Sequence, residues 1–307
     1  MLFIFQNSVE VQSTLRTMIV YGRALDENNR QLFKACKKLM GKVVLARAMD
    51  LSAYVGPDGS HFWHGDKELS QIDLCFLRSL GPGSFEQVTK RVSMLEHLEF
   101  SGVFMVNSTL AHRKARDKYS TMCVLAKAGL PILPTYVSEM AHWVYRASRD
   151  FKQMVYKPII GSLGFGSMKF ENADLAFNAY TTLERLGQPL YIQKYMEKPG
   201  RDIRVFVLGE KAIASIHRIA RPTEWKTNVA QGAQAKPVQL PLKLEKLAVN
   251  AAKLLGLLYA GVDILESEKR VVVLEVNGSP SWQGLQKATG VNVAEQLVQY
   301  VIDYMKR

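Results

Sequence analysis

A parallel α/β region followed by an α+β region built on antiparallel sheets is the fold class this sequence predicts. Three observations predict it. Short apolar, β-branched runs alternate with segments of helical periodicity up to residue 106, the pattern of a parallel sheet. Beyond residue 154, strand-like runs follow one another across tight turns, the pattern of antiparallel pairing. The chain has 307 residues, 48% of them hydrophobic, enough for more than one core at roughly 100–200 residues per domain.

The elements follow in order. Residues 1–5 are apolar but short and lack a basic flank, so they read as a first strand or a lead-in to one rather than as a signal peptide. A β-branched run at 17–21 is the next strand. Residues 28–40 carry Leu32, Phe33, Ala35, Cys36 and Leu39 at helical spacing, with Gly41 as the stop. Strands follow at 43–46 and 72–77. Gly81-Pro82-Gly83 turns the chain into a helix over 85–100, and 103–106 is the last strand of the series. A helix over 117–128 is stopped by Gly129 and Pro131. Its Cys123 is expected in the core. Strands at 154–158 and 167–170 flank a glycine-rich connection, and strands at 191–196, 202–208 and 212–216 follow, the last two as a hairpin through Gly209-Glu210. A helix over 244–258, strands at 261–265 and 271–276 about a polar turn, and an amphipathic helix over 293–305 complete the chain.

Composition narrows the function classes. No run approaches the roughly 18 apolar residues of a membrane span. Cys36, Cys75 and Cys123 are odd in number and in no metal-ligand spacing, which points to a reducing cytoplasm. Forty basic against 28 acidic residues give a net charge of +12, which attracts anions without naming them. No zinc-finger, basic-zipper or RNA-recognition pattern is present, so nucleic acid is a weak expectation. His61 and His64 lack a third ligand nearby. There is no Gly-x-Ser-x-Gly, so a serine hydrolase has no support.

Two constellations carry chemistry. Lys157 opens the stretch Pro158-Ile159-Ile160-Gly161-Ser162-Leu163-Gly164-Phe165-Gly166. It is neither a P-loop nor a dinucleotide fingerprint, because strands lie on both sides. Such a loop either folds over phosphates with its N–H groups, or is a hairpin loop with a structural lysine. In the second, Asp263 lies in an apolar strand and Glu275 and Asn277 lie two apart on the next, hence on one face. A turn centred near Lys269 sets Asp263 opposite Glu275. Two carboxylates in apolar strands need a cation, either a hard divalent ion or a Lys or Arg on a solvated face, and the apolar flanks favour the metal. Arg204 and Arg218 on the hairpin, with Lys226 and Asn228 after it, add cations and donors suited to carboxylate or phosphate.

The ordered set Arg116-Asp117-Lys118, Lys157 with its loop, Gln193-Lys194-Tyr195-Met196, Asp202-Ile203-Arg204, Trp225-Lys226-Thr227-Asn228, Asp263-Ile264-Leu265 and Glu275-Val276-Asn277-Gly278-Ser279-Pro280 resembles the ATP-grasp superfamily, and within it the RimK-like α-L-glutamate ligases. The resemblance implies an N-terminal α/β lobe over 1–116, a lid over 117–190 and a C-terminal lobe over 191–307, with ATP clamped between two antiparallel sheets. It places Lys118, Lys157, Gly161, Ser162, Gly164 and Gly166 at the phosphates, and Gln193, Lys194, Tyr195 and Met196 along the adenine. Asp202 falls at the ribose, and Lys226, Thr227 and Asn228 near the terminal phosphate. Asp263, Glu275 and Asn277 become the ligands of magnesium, with manganese as its substitute. Arg218, Arg204 and Asn228 become the catalytic group, Arg218 at the reacting carboxylate. The sequence departs from the group at Lys194, often acidic there, at Lys226, usually Arg, and over 229–233, which lacks the usual basic and double-glycine character.

The activity implied is an ADP-forming carboxylate–amine ligation through an acyl phosphate, adding L-glutamate to an anionic acceptor such as a tetrahydromethanopterin-type pterin or a protein tail. A nucleotide-binding regulatory protein without turnover is the alternative. The resemblance further implies a cytoplasmic homo-oligomer. Arg78, Arg113, Arg116, Arg204, Arg218 and Arg221 fall in segments it places around the cleft, where they would draw in the anionic acceptor.

Overall fold

The computed structural model describes residues 15–69, 71–161, 164–222, 224–228 and 232–307, so the expected strand at 1–5 lies outside the described residues. The first lobe contains β1 (Thr17–Tyr21), α1 (Glu27–Leu39), β2 (Val43–Arg47), β3 (Leu51–Gly56), β4 (Gly59–His64), β5 (Lys67–Glu68), β6 (Leu74–Leu77), α2 (Phe85–Phe100), β7 (Phe104–Val106) and α3 (Thr109–Arg116). Four strands pair in parallel in the order β2-β1-β6-β7, as the alternation of strand and helix predicts. Met18, Ile19 and Val20 of β1 and all of β6 are buried, because strands covered on both faces must be apolar throughout. Helix starts follow local chemistry: Asp26 caps α1, and Ser84 with Gln87 forms a capping box on α2.

The strands β3, β4 and β5 form a separate antiparallel meander that the sequence reading did not include. His61 and His64 lie on it. His61 faces Glu68 at 3.1 Å, and His64 Nε2 accepts from the Arg47 amide at 3.2 Å.

The middle of the chain forms α4 (Lys118–Lys127), β8 (Thr135–Ser138), α5 (Ala141–Phe151), β9 (Met154–Lys157), β10 (Met168–Phe170), α6 (Ala173–Arg185) and β11 (Leu190–Lys194). Its sheet is antiparallel in the order β10-β9-β11-β8, with α5 and α6 packed on one face. Because β11 pairs with both β9 and β8, this layer extends to Lys194 rather than ending at 190. Cys123 is exposed, a correction to its expected place in the core. The buried face of α4 is set by Thr121, Met122 and Leu125, and position 123 turns away from it.

The last part forms β12 (Arg201–Leu208), β13 (Lys211–Ile219), β14 (Gln234–Pro237), α7 (Leu242–Leu254), β15 (Tyr259–Glu266), β16 (Val271–Asn277), α8 (Gln283–Thr289) and α9 (Val293–Met305). Its five strands are antiparallel in the order β14-β13-β12-β15-β16. The register sets Asp263 against Glu275 and Arg204 against Asp263.

The first and last lobes share one core. Ile19, Leu32, Phe76 and Val106 pack in a cluster with Trp282, Leu297, Val298 and Val301. The N-terminal sheet is thus covered by the C-terminal helix. Leu297 is fully buried there, so Leu297→Ala should cost about 2–5 kcal/mol in urea unfolding, and a loss below about 1 kcal/mol would contradict the shared core.

Candidate active site

A cleft opens between the middle sheet and the five-stranded sheet. At one end Leu133, Met196, Leu265 and Leu274 meet in a small apolar cluster contributed by both sheets, a slot for a flat ring. The strand β11 runs into it. The Lys194 amide donates to the Pro134 carbonyl at 2.9 Å and the Tyr195 amide to the Gln153 carbonyl at 3.0 Å. Those two N–H groups are therefore committed to the protein.

The other end is polar and cationic. Lys118, Lys157, Lys198, Lys226 and Arg218 all line it. Lys157 leaves the end of β9, and its Nζ donates to Gln193 Oε1 at 2.7 Å. Burial pushes the Lys157 ammonium down to about 8, with Lys118 and Lys198 adding to the shift and Glu275 and Asp263 opposing it. Lys118 donates to the Gly161 carbonyl at 3.0 Å and Lys226 to the Gly164 carbonyl at 3.1 Å. The glycine-rich loop is thus held from two sides by lysines of different lobes. Gly161 and Gly164 line the cleft, whereas Gly166 makes a turn at φ 73° against Pro158 and does not. Ser162 lies outside the described residues, as do 229–231.

Beyond the lysines sits a buried charge network. Arg218 on β13 donates from Nε to Asp202 Oδ1 and from an Nη to Asp202 Oδ2, both at 2.8 Å, and the same Nη lies 2.8 Å from Asp263 Oδ2. Arg204 on β12 donates to Asp263 Oδ2 at 3.1 Å. Its Nε also touches Asp263 Oδ1, but the approach is not aligned for hydrogen bonding, so both atoms lack a hydrogen-bond partner. Thr227 donates its hydroxyl to Asp202 Oδ2, and Lys198 donates to Thr227 Oγ1 at 3.1 Å.

The directions of the pKa shifts follow. Burial raises the Asp202 carboxyl, yet Arg218 and the Lys198 and Thr227 contacts more than offset it, so this carboxyl ionises more readily than usual. Burial raises the Asp263 carboxyl, with Asp202 and Glu275 adding repulsion against the pull of Arg204 and Arg218. Burial alone would lower Arg218, but its two carboxylates raise it and keep it charged.

The structure redirects two expectations. Both oxygens of Asp202, expected at the ribose, already accept from Arg218 and Thr227. Arg218, expected at the reacting carboxylate, pairs with Asp202 and Asp263, and Arg204, expected in the catalytic group, pairs with Asp263. Asn228, Thr227 and Lys226 line the cleft. Lys198 was missed by the sequence reading: it stands in a turn, in Lys198-Pro199-Gly200, with no repeat or motif to mark it.

The oxygen set fits a hard divalent cation. Asp263 Oδ1 is buried with only the misaligned Arg204 Nε against it, Glu275 lies directly across the strand pair, and Asn277 Oδ1 accepts from the Ser279 amide at 2.9 Å. Among the described residues no group of three His, Cys, Asp or Glu side chains gathers around a common point. Two carboxylates and an amide leave room for phosphate and water oxygens, as magnesium prefers.

A sheet pair with an apolar slot, a lysine-held glycine loop and facing carboxylates is the arrangement the resemblance implied. The RimK-like ATP-grasp domain family matches residues 115–301, from the end of α3 into α9. The chain belongs to the RimK-like ATP-grasp family. A tetrahydromethanopterin:α-L-glutamate ligase of Methanosarcina acetivorans is 33% identical, covering 82% of this chain and 87% of that one. A Legionella pneumophila protein named "probable alpha-L-glutamate ligase" is 32% identical over 68% of this chain and 70% of its own. The crystal structure of a RimK domain ATP-grasp protein from Sphaerobacter thermophilus aligns with a TM-score of 0.72 at 20% identity, covering 93% of this chain and 98% of that one. The fold is therefore ATP-grasp, and the family is one of ATP-dependent ligases. No helix among the described residues is long and apolar enough to cross a membrane.

The cleft's lysine chemistry gives a pH test. Lys157 is a cation below about 8 and neutral above it, and a phosphate ligand is attracted only by the cation. Affinity for metal-free ADP should fall as pH rises from 7 to 9, and Lys157→Arg should flatten that profile. An equal fall in both proteins would remove Lys157 from the phosphate site.

Proposed function

We propose that this RimK-like protein couples ATP cleavage to amide formation, adding L-glutamate to an anionic carboxylate acceptor through an acyl phosphate. The observation that carries the reading is the cleft itself. An apolar slot, four lysines and the facing pair Asp263 and Glu275 line one cleft between two antiparallel sheets. The Methanosarcina relative is named for tetrahydromethanopterin and glutamate, which supports glutamate as the donor and a pterin of that type, or a protein tail, as acceptor. The alternative of a nucleotide-binding regulator without turnover finds no support in these relatives, which are named as ligases.

In this reading the adenine enters the slot at Leu133, Met196, Leu265 and Leu274. Lys118 and Lys157 hold the phosphates under the loop, and Lys226, Thr227 and Asn228 lie toward the terminal one. Asp263, Glu275 and Asn277 would hold magnesium or manganese. The ion, when bound, neutralises phosphate charge and strengthens the γ-phosphorus as an electrophile. An acceptor carboxylate oxygen forms a bond to that phosphorus as the bridging oxygen leaves with ADP. The glutamate amine, having lost one proton to solvent, attacks the acyl carbon; its nitrogen gives up a second proton to solvent and inorganic phosphate leaves as the amide forms. No enzyme nucleophile takes part. The chain supplies position, charge and exclusion of water from a hydrolysable intermediate. Arg204 and Arg218 contribute by fixing Asp263 rather than by gripping the acceptor.

The assay is ADP release with each substrate withheld in turn. Release requiring both an amino acid and a carboxylate acceptor is expected, and equal release without either would defeat the reading. Glu275→Gln removes one charge from the oxygen set while keeping its shape. It should retain the fold and lose turnover by at least about 100-fold, the order expected when a metal-ligating charge is removed. Wild-type rates in that variant would show that Glu275 holds no metal.

A further inference from the structure

In open parallel α/β sheets, ligands sit in the crevice beyond the carboxyl ends of the strands, where the strand order reverses. Here that crevice lies beyond β1 and β6, and it is filled by the chain's own segment, residues 278–282. The segment directly follows Asn277. Three residues from the N-terminal lobe hold it. Asn28, in the first turn of α1, accepts from the Trp282 amide at 3.0 Å and the Ser281 hydroxyl at 3.3 Å. Asn107, just after β7, donates to the Gly278 carbonyl at 2.7 Å and the Tyr259 carbonyl at 2.9 Å.

The third is Arg78, just after β6, expected to face the cleft as part of a cationic field but 7% exposed. Its guanidinium donates to Asn29 Oδ1 at 3.3 Å, the Tyr259 hydroxyl at 3.0 Å and the Pro280 carbonyl at 2.9 Å, and lies 4.5 Å over the Trp282 ring. Its own carbonyl accepts from the Ser279 hydroxyl at 2.5 Å. The Ser279 amide in turn donates to Asn277 Oδ1 at 2.9 Å. The segment is thus held at two successive residues, Pro280 by the Arg78 guanidinium and Ser279 by the Arg78 backbone carbonyl, and the Ser279 amide orients the Asn277 side chain. Among the described residues no carboxylate pairs with Arg78, and a buried unpaired charge is costly compared with an apolar side chain of similar volume. Packing alone would be served as well by methionine. What only a guanidinium supplies is three directed donors.

We infer that Arg78 is a positioning residue of the metal site: its guanidinium holds the Pro280 carbonyl, and so keeps the preceding Ser279 amide on the Asn277 oxygen, and the N-terminal lobe serves the site as this brace. The inference rests on the reading of Asn277 as a metal ligand. Outer-shell partners of metal ligands typically change metal affinity by 10–100-fold when removed. The test is Mn2+ binding in the presence of ADP, read from the free-ion EPR signal, beside metal-free ADP binding in EDTA and thermal unfolding. Arg78→Met should weaken Mn2+ at least about tenfold while metal-free ADP binding stays within about twofold, and Arg78→Lys should fall between. A merely structural role would lower both affinities together or neither. Ser279→Ala, which deletes one hydroxyl, carries the same expectation if Arg78→Met does not fold. Asn277→Ala is the reference. Unchanged Mn2+ affinity in Arg78→Met and Ser279→Ala, with a loss in Asn277→Ala, overturns the brace alone. Unchanged affinity in Asn277→Ala overturns the ligand assignment and the brace with it.

Discussion

The guanidinium of Arg218 lies buried between the carboxylates of Asp202 and Asp263, and much of the site depends on that contact. Two carboxylates this deep could not both remain ionised without a cation between them. Removing one partner of such a buried group commonly costs about 3–5 kcal/mol, because the remaining charge is stranded. The same contact fixes geometry. It ties the Asp202 end of β12 and the Arg218 end of β13 to Asp263 on β15, and Asp263 faces Glu275 on β16. Thr227 and Lys198 extend the network to the loop after β13, so charge joins that loop to three adjacent strands of the cleft floor.

The cleft's two walls differ in how firmly they are held. The floor belongs to a five-stranded sheet with α7 packed against it. The roof is a smaller sheet whose glycine loop meets the floor through the Lys226 contact to Gly164. The two walls also meet in the apolar cluster of Leu133, Met196, Leu265 and Leu274, so the roof is tied to the floor at the slot as well as by the polar contact at its loop. The N-terminal lobe stands behind the floor. Its sheet is covered by α9 and its ligand crevice is filled by residues 278–282, so it supports the site from the far side.

Much of this was legible in the sequence, for identifiable reasons. Period-two spacing put Glu275 and Asn277 on one face, and a polar turn at 266–270 set Asp263 against Glu275, which the register bears out. The arginine partners were not legible. The hairpin of β12 and β13 could be read locally, but pairing of β12 with β15 is non-local, and it alone brings Arg204 onto Asp263. The meander over 51–68 was missed because β3 is mostly exposed and carries no apolar alternation, leaving the turn residues Pro57, Asp58 and Gly59 as its one mark. Arg78 looked like any other cation near a cleft. Its burial depends on Trp282 and Pro280, some 200 residues away in sequence.

The measurement that tests the account most directly is the anomalous scattering of Mn2+ in crystals of the protein grown with ADP. The account predicts a single strong peak between Asp263, Glu275 and Asn277, with the two Arg218 hydrogen bonds to Asp202 retained. A peak elsewhere, or Asp202 turned away from Arg218 to the ribose, would contradict it.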